Sequence, residues 1–272
     1  MMQSNRPNKR FILTHFALLI LLLKAPLLAQ HSNFKWPEGK TMGLSFSWDD
    51  GRESQVIVGT PLLDKYGIKA TFYVVPSAVE KQLAGWKKAV SVGHEIANHS
   101  LNHPCSGNFL WARKNALEEY SLAKMEAELL EANSKIKAIL GIEMTEFAYP
   151  CGQTYVGRGE NTQSYVPVIA KKFKSGRTWL DEAPNDPSYC DLSQITGMEM
   201  DGKDFSDILT LIEAARKTNS WLVLAGHAIG KEGAQTTKTD MLEKLFKYLN
   251  NDAKDIWVAP VGDVSTLIKK QR

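Results

Sequence analysis

The sequence predicts an α/β fold built on a parallel sheet, on three observations. Apolar, β-rich runs alternate with amphipathic helical stretches six or seven times after residue 40. The length of 272 residues suits one large domain of the kind that a single α/β barrel forms. A composition of 43% hydrophobic and 23% charged residues is that of an ordinary globular protein, which excludes disordered, collagen-like and polytopic membrane classes. Right-handed crossovers then either close the sheet into a barrel or wind it with helices on both faces.

The chain opens on a delivery segment. Arg6, Lys9 and Arg10 form a basic start without acids, residues 11–23 are almost unbroken apolar sequence, and Leu27, Leu28 and Ala29 precede a polar stretch. The apolar run is shorter than the roughly 20 residues that span a bilayer, which favours a signal peptide over residues 1–29, cleaved after Ala29, over a retained anchor. The expectation is an exported protein of the periplasm, cell surface or medium with no stable membrane span, formed by residues 30–272.

Residues 41–48 read as the first strand and 55–66 as a helix with Ile57, Leu62 and Leu63 facing inward. Alternation and β-branched content make 69–75 a second strand. Residues 78–92 read as helical, and 95–98 as a short strand ending at histidines. The strongest helical signal covers 112–140, where Leu117, Tyr120, Met125, Leu129, Ile136 and Ile139 recur at near-helical spacing and Gly141 is the stop. Residues 146–149, 173–179 and 221–225 are further strands, and 205–217 and 239–249 helices. Segments 256–259 and 262–270 close the pattern. No repeat, low-complexity tract or linker interrupts it.

Polar residues at the C-terminal ends of parallel strands are where a barrel carries its chemistry. The first strand ends in Trp48-Asp49-Asp50-Gly51. Adjacent carboxylates there are electrostatically costly unless something positive lies beside them, although a turn or helix cap is the plainer reading of the pair alone. The third strand end reads His94-Glu95-Ile96-Ala97-Asn98-His99-Ser100-Leu101-Asn102-His103. One helical turn would put His99 and His103 on one side. With a carboxylate they make a two-histidine, one-acid ligand set that leaves room for water on a divalent ion such as zinc. His227 ends the buried-looking run 221–226 at the same end of the sheet, a candidate acid by position.

Together these segments resemble the polysaccharide deacetylase family, the NodB-homology domain of carbohydrate esterase family four, from about Thr41 to Lys270. Its first motif, usually TFDDG, stands here as Ser47-Trp48-Asp49-Asp50-Gly51, and its second as His99-Ser100-Leu101-Asn102-His103. Its third, R-x-P-Y-G, stands as Ala148-Tyr149-Pro150-Cys151-Gly152, with both the arginine and the tyrosine replaced. A leucine-rich strand ending in histidine, the fifth, stands as 222–227. The resemblance implies a distorted (β/α) barrel of about seven strands. It implies Asp50, His99 and His103 as ligands of a divalent metal, zinc by preference, with Asp49 as general base and His227 as general acid. It also implies the backbone N–H of Cys151 as an oxyanion donor, which a side-chain change need not remove.

The missing arginine leaves Asp49 in need of another partner. Arg177 lies where the fourth motif should fall and is a base-orienting or substrate-contacting candidate, against a plain surface cation. Tyr149, Trp48 and Trp179 are further candidates for the same roles, the two tryptophans by their closeness to the chemistry. Trp86 and Trp111 read as core. Cys105, Cys151 and Cys190 all fall in loops expected on the active face. Two of them could join in an oxidising compartment, with Cys151–Cys190 the preferred pair, or all three could stay reduced.

The expected function is an exported, metal-dependent hydrolase removing N- or O-linked acetyl groups from a polysaccharide or oligosaccharide. A related amidase acting on a non-sugar C–N bond, or a carbohydrate-binding protein with a decayed site, are the alternatives. The formal net charge of +3 hints at an acidic partner, but the segment 1–29 contributes Arg6, Lys9, Arg10 and Lys24 and no acid. Without it 29 basic residues face 30 acidic ones, a balance that suits an acetylated carbohydrate and gives no reason to expect nucleic acid.

Overall fold

The computed structural model describes residues 34–272, and the expected export signal, residues 1–29, lies outside them. Eight strands form the main sheet: β1 Met42–Trp48, β2 Thr71–Val74, β3 Glu95–Asn98, β4 Glu146–Ala148, β5 Ser175–Arg177, β6 Met198–Glu199, β7 Trp221–Gly226 and β8 Ile256–Val258. Every pairing among them is parallel. Seven follow in the order β5-β4-β3-β2-β1-β7-β6 as a curled half-barrel, while β8 lies against the first half of β1. An isolated bridge from Arg177 to Ile195 links β5 to the segment entering β6. The expected distorted (β/α) barrel of about seven strands is the architecture found.

Strand β1 is central because both of its faces can be buried. Met42, Leu44, Phe46 and Trp48 point into the main apolar core beneath the helices. Gly43, Ser45 and Ser47 alternate with them, and both serines are satisfied: Ser45 donates to the Ala259 carbonyl at 2.8 Å and Ser47 to that of Leu224 at 2.9 Å. Six residues in register with β7, from Gly43–Trp221 to Trp48–Gly226, hold β1 on one side. Ser47 and Trp48 pair with Thr71 and Phe72 of β2 on the other. Whatever follows Trp48 is therefore delivered to the middle of the C-terminal rim.

The helices depart from the expected pattern in three places. The stretch 55–66 begins as a π-helical turn, Gln55–Gly59, before the α-helix Thr60–Lys65. That wider turn shifts the phase of the face, so Ile57 is exposed while Leu63 is fully buried. Residues 78–92 form two helices, Pro76–Lys81 and Leu83–Ser91, broken at Gln82. The helix expected over 112–140 starts at Leu122, after 3₁₀ turns at Leu110–Asn115 and Leu117–Glu119. Extended backbone at Ala116 and Tyr120 stops those turns from joining it, and the Ser121 hydroxyl accepts the Lys124 N–H as the true cap. Leu117 and Tyr120 are buried as their spacing suggested, by tertiary packing and not by helical phase. Gly141 ends the helix in the left-handed conformation, as expected.

Trp48 does not face the rim. It is fully buried, stacked between Phe46 and Phe72, and its indole N–H donates to Thr237 Oγ1 at 3.1 Å. The alternation of β1 puts its side chain on the face opposite Asp49. Among the described residues no helix is long and apolar enough to cross a membrane. Because Trp48 is core, Trp48→Ala should destabilise the fold by roughly 3–5 kcal/mol. Urea unfolding checks this, and a change confined to substrate binding at full stability would contradict the assignment.

Candidate active site

Each expected site residue follows the end of a parallel strand. Asp49 and Asp50 follow β1, His99 follows β3, and His227 follows β7. The ladders extend one residue further to hold them, since the Asp49 N–H donates to the Gly226 carbonyl at 2.9 Å and the His99 N–H to that of Val74 at 3.1 Å. Asp49, Asp50, His99, His103, Cys151, Trp179 and His227 line one cleft of about 640 Å³, a size suited to one or two sugar units.

The two histidines do not meet on a helical turn. Residues 99–109 form no helix or strand, and Ser100 and His103 take left-handed φ values of 64° and 50°. The loop folds back so that the imidazoles sit 4.8 Å apart. His99 Nε2 lies 3.6 Å and His103 Nε2 3.3 Å from Asp50 Oδ1. His99 is bonded through Nδ1 to the Ala148 carbonyl at 2.9 Å, which fixes the proton there and leaves the Nε2 lone pair aimed at Asp50. Burial pushes its pKa down to about 4, so the ring is neutral at pH 7, as a ligand must be. The three donor atoms lie within 4.8 Å of one another. One carboxylate and two imidazoles converging from two loops fit a divalent ion.

Asp49 turns away from this group and into the barrel. Its carboxylate meets the guanidinium of Arg177, and both side chains are almost wholly buried. Arg177 stands in register with Ala148, so the two residues share a face of the sheet. The small inner residues Ala97 and Ala148, with Tyr73, leave the space that the guanidinium fills, 5.0 Å from the Tyr73 ring. A second donor of Arg177 goes to the Thr178 carbonyl at 2.8 Å. The arginine absent from position 148 is thus supplied from the neighbouring strand. As a fully buried cation it needs a carboxylate partner, and Asp49 is that partner.

His227 has a partner that the sequence reading did not find. Asp201, just past β6, accepts from His227 Nδ1 at 2.8 Å and from the His227 N–H at 3.2 Å. Thr237 donates to the same carboxylate at 2.7 Å and receives the Trp48 indole N–H, so the network runs on into the core. Burial pushes the His227 pKa down, but the Asp201 bond and the charges of Asp49 and Asp50 outweigh it, and the net shift is upward. The signal for Asp201 was the alternation Met198, Met200 before Asp201-Gly202, a strand end too short to stand out. Gln55 was also missed. Its amide donates to the backbone carbonyls of Asp49 at 2.6 Å and His227 at 2.8 Å, tying together the loops that carry the two groups.

Two candidates lie elsewhere. Tyr149 is buried and its hydroxyl donates to the Ser193 carbonyl at 2.7 Å, so it faces away from the cleft, as Trp48 does. Trp179 lines the cleft, edge-on to His227 with ring centroids 4.6 Å apart. Trp111, expected in the core, is 63% exposed, next to Phe109 and 5.8 Å from the His103 ring. Its 3₁₀ turn, not a helix face, sets its direction.

The cysteine pairing differs from the expected one. Cys105 and Cys151 are joined, and Cys190 is free. Cys105 lies two residues beyond His103, while Cys190 is held near the C-terminus, where Arg272 donates to its carbonyl at 2.5 Å. Cys151 itself has a left-handed φ of 55°, as Asp50 does at 74°. Asp50, Ser100, His103 and Cys151 each pay roughly 1–2 kcal/mol for that conformation, so backbone strain is concentrated on this rim.

Comparison with known proteins agrees with this geometry. Residues 37–165 match the family model for polysaccharide deacetylase. A gellan lyase from Bacillus sp. is 24% identical over 248 residues, 84% of this chain but 9% of that protein. The peptidoglycan-N-acetylglucosamine deacetylase PgdA of Listeria monocytogenes is 34% identical over 70 residues, 25% of this chain and 15% of that protein. The chain thus spans a small part of the curated relatives it matches. A probable polysaccharide deacetylase from Pseudomonas aeruginosa PAO1 shares the fold at a TM-score of 0.63 and 14% identity, over 87% of this chain and 94% of that one. A family 4 acetyl xylan esterase from Clostridium thermocellum, in complex with a cobalt ion, does so at 0.55 and 18%, over 83% and 91%. With its motifs gathered on one rim of the same half-barrel, the chain resembles the polysaccharide deacetylase family, whose model matches just under half of its length.

Proposed function

We propose that this protein is an exported, metal-dependent hydrolase that removes acetyl groups from a carbohydrate polymer or oligomer. The observation that carries the reading is a buried carboxylate and a histidine, each with its own counter-charge, flanking a two-histidine, one-aspartate ligand set in one cleft. A binding module has no use for such a supported pair. The cobalt ion in the related esterase supports metal dependence, and PgdA supports an acetylated sugar as substrate. Residues 1–29 act as the removed signal and 30–272 as the catalytic unit, and the disulfide suits an oxidising compartment.

Asp50, His99 and His103 would hold the ion, zinc by preference, which supplies Lewis acidity to an acetyl carbonyl and acidifies water. Asp49 takes the proton of the attacking water, and Arg177 holds its carboxylate aimed. The backbone N–H of Cys151 donates to the oxyanion of the tetrahedral intermediate. His227, held by Asp201, gives its proton to the departing amine or alkoxide. Trp179 and Trp111 offer apolar faces to the sugar rings on either side.

Acetate release from a panel of chitin oligomers, acetylated xylan, peptidoglycan fragments and simple amides tests the reading. Chelation should abolish release and zinc restore it, and a purified protein that neither binds metal nor releases acetate would sink the proposal. Asp50→Ala and His99→Ala should lose metal and activity together. Asp49→Asn and Arg177→Met should keep the metal yet lose turnover, by on the order of 100-fold or more for the base. Metal content measured beside the rate separates the two classes.

The pH dependence follows from His227, which must be protonated to act as acid. Its raised pKa sets the alkaline limb of the rate profile, and activity falls as pH rises through it. Asp201→Asn removes the main support of the protonated form, so that limb should move to lower pH. An unmoved limb would mean that another group is the acid.

A further inference from the structure

The disulfide joins Cys105, and not the expected Cys190, to Cys151, so it ties two loops of the candidate site together. Residues 99–109, which carry both imidazoles, have no helix or strand of their own. His103 takes its direction from a few tethers: its N–H donates to Ser100 Oγ at 2.9 Å, and Asn102 is held by Glu128 at 2.9 Å. The loop 149–153 holds a single 3₁₀ turn, Pro150–Gly152, broken by the left-handed Cys151 and closed by the Gly152 N–H on the Tyr149 carbonyl at 2.8 Å and the Gln153 N–H on that of Pro150 at 3.1 Å. Two links join these two loops, the Ser106 N–H donating to Gln153 Oε1 at 2.8 Å and the bond between Cys105 and Cys151, and the His99–Ala148 hydrogen bond lies at their base.

We infer that the Cys105–Cys151 disulfide is a positioning element of the reaction, clamping the loop that carries His103 onto the loop whose Cys151 N–H faces the oxyanion. This rests on the function proposed above. One end of the clamp is the oxyanion residue itself, in a left-handed conformation that a non-glycine residue leaves readily once untied. The other end lies two residues from His103, also left-handed, with Cys105 Sγ 3.7 Å from His103 Nδ1. A bond placed only to staple the fold would gain as much by joining loops far from the cleft. This one fixes the distance between a ligand and a donor that must act on the same carbonyl oxygen, where small displacements weaken catalysis steeply. Full activity is then conditional on the oxidised pair. A phosphine reverses it: with one water it cleaves the S–S bond to two thiols and becomes the phosphine oxide.

The test compares wild type, Cys105→Ser/Cys151→Ser and the control Cys190→Ser, each metal-loaded and well below its own melting temperature. The clamp predicts that the double variant loses on the order of tenfold or more in kcat, with KM within about twofold. Zinc affinity, measured by calorimetric titration of the metal-free protein, should also weaken several-fold, while Cys190→Ser matches wild type in both. A lowered melting temperature with unchanged kcat and zinc affinity would overturn the inference and leave a simple staple. Should the double variant not fold, phosphine treatment of the folded wild type replaces it. Loss of rate that returns on reoxidation supports the clamp, and full rate in the reduced protein overturns it. If oxidised wild type releases no acetate from any acetylated carbohydrate, the functional reading fails, and the zinc titration still decides the clamp by itself.

Discussion

Two adjacent carboxylates at the end of a strand buried on both faces are electrostatically costly unless each finds its own positive partner. Asp49 and Asp50 meet that condition by diverging. The backbone turns left-handed at Asp50, sending Asp49 inward to Arg177 and Asp50 outward, where Arg52 lies 2.9 Å from one oxygen and the His99 and His103 rings face the other. The proposed division of labour, Asp49 as a supported base and Asp50 as a metal ligand, follows from this electrostatic separation. Burial pushes the Asp50 pKa up, but the His103 bond and the neighbouring imidazoles prevail, and its carboxylate stays well below the usual range.

Much of the surrounding structure serves to hold these two directions apart. The register of β1 with β7 delivers the pair to the middle of the rim and places His227 beside it. Gln55, on a π-helical turn, ties the Asp49 and His227 backbones together, and its own carbonyl oxygen has no hydrogen-bond partner among the described residues. A buried unsatisfied acceptor costs stability, so its presence fits a turn shaped to position the site more than to stabilise the fold. Asp201 fixes His227 in the same way that Arg177 fixes Asp49, with opposite sign.

Arg177 also shows how a motif can be kept in space while it is lost along the chain. The resemblance places the family arginine at position 148, where this protein has alanine. The adjacent strand carries an arginine at the paired position, and the short side chains at 97 and 148 give it room. What the proposed chemistry requires is a guanidinium against the Asp49 carboxylate from inside the barrel, and two neighbouring strands can equally well provide it.

Local chemistry was legible because it is written in consecutive residues. The Asp49-Asp50 pair, the His99–His103 spacing and the strand before His227 each lie within a few positions, and the strand–helix alternation gave the barrel. Strand period and side-chain alternation also contained the answer for Trp48, once the direction of Asp49 was known. Neither the partner of Asp49, nor Asp201, nor the choice of Cys105 over Cys190 could be read in this way. Each joins segments separated by 128, 26 and 46 residues, respectively, and depends on strand register and loop direction. Hydrophobic period and motif spacing are local, so the amino-acid order alone disclosed the fold class and the groups proposed to carry the chemistry. Tertiary structure alone decided which charges support them, because a buried ion pair is chosen by proximity across the barrel and not by distance along the chain.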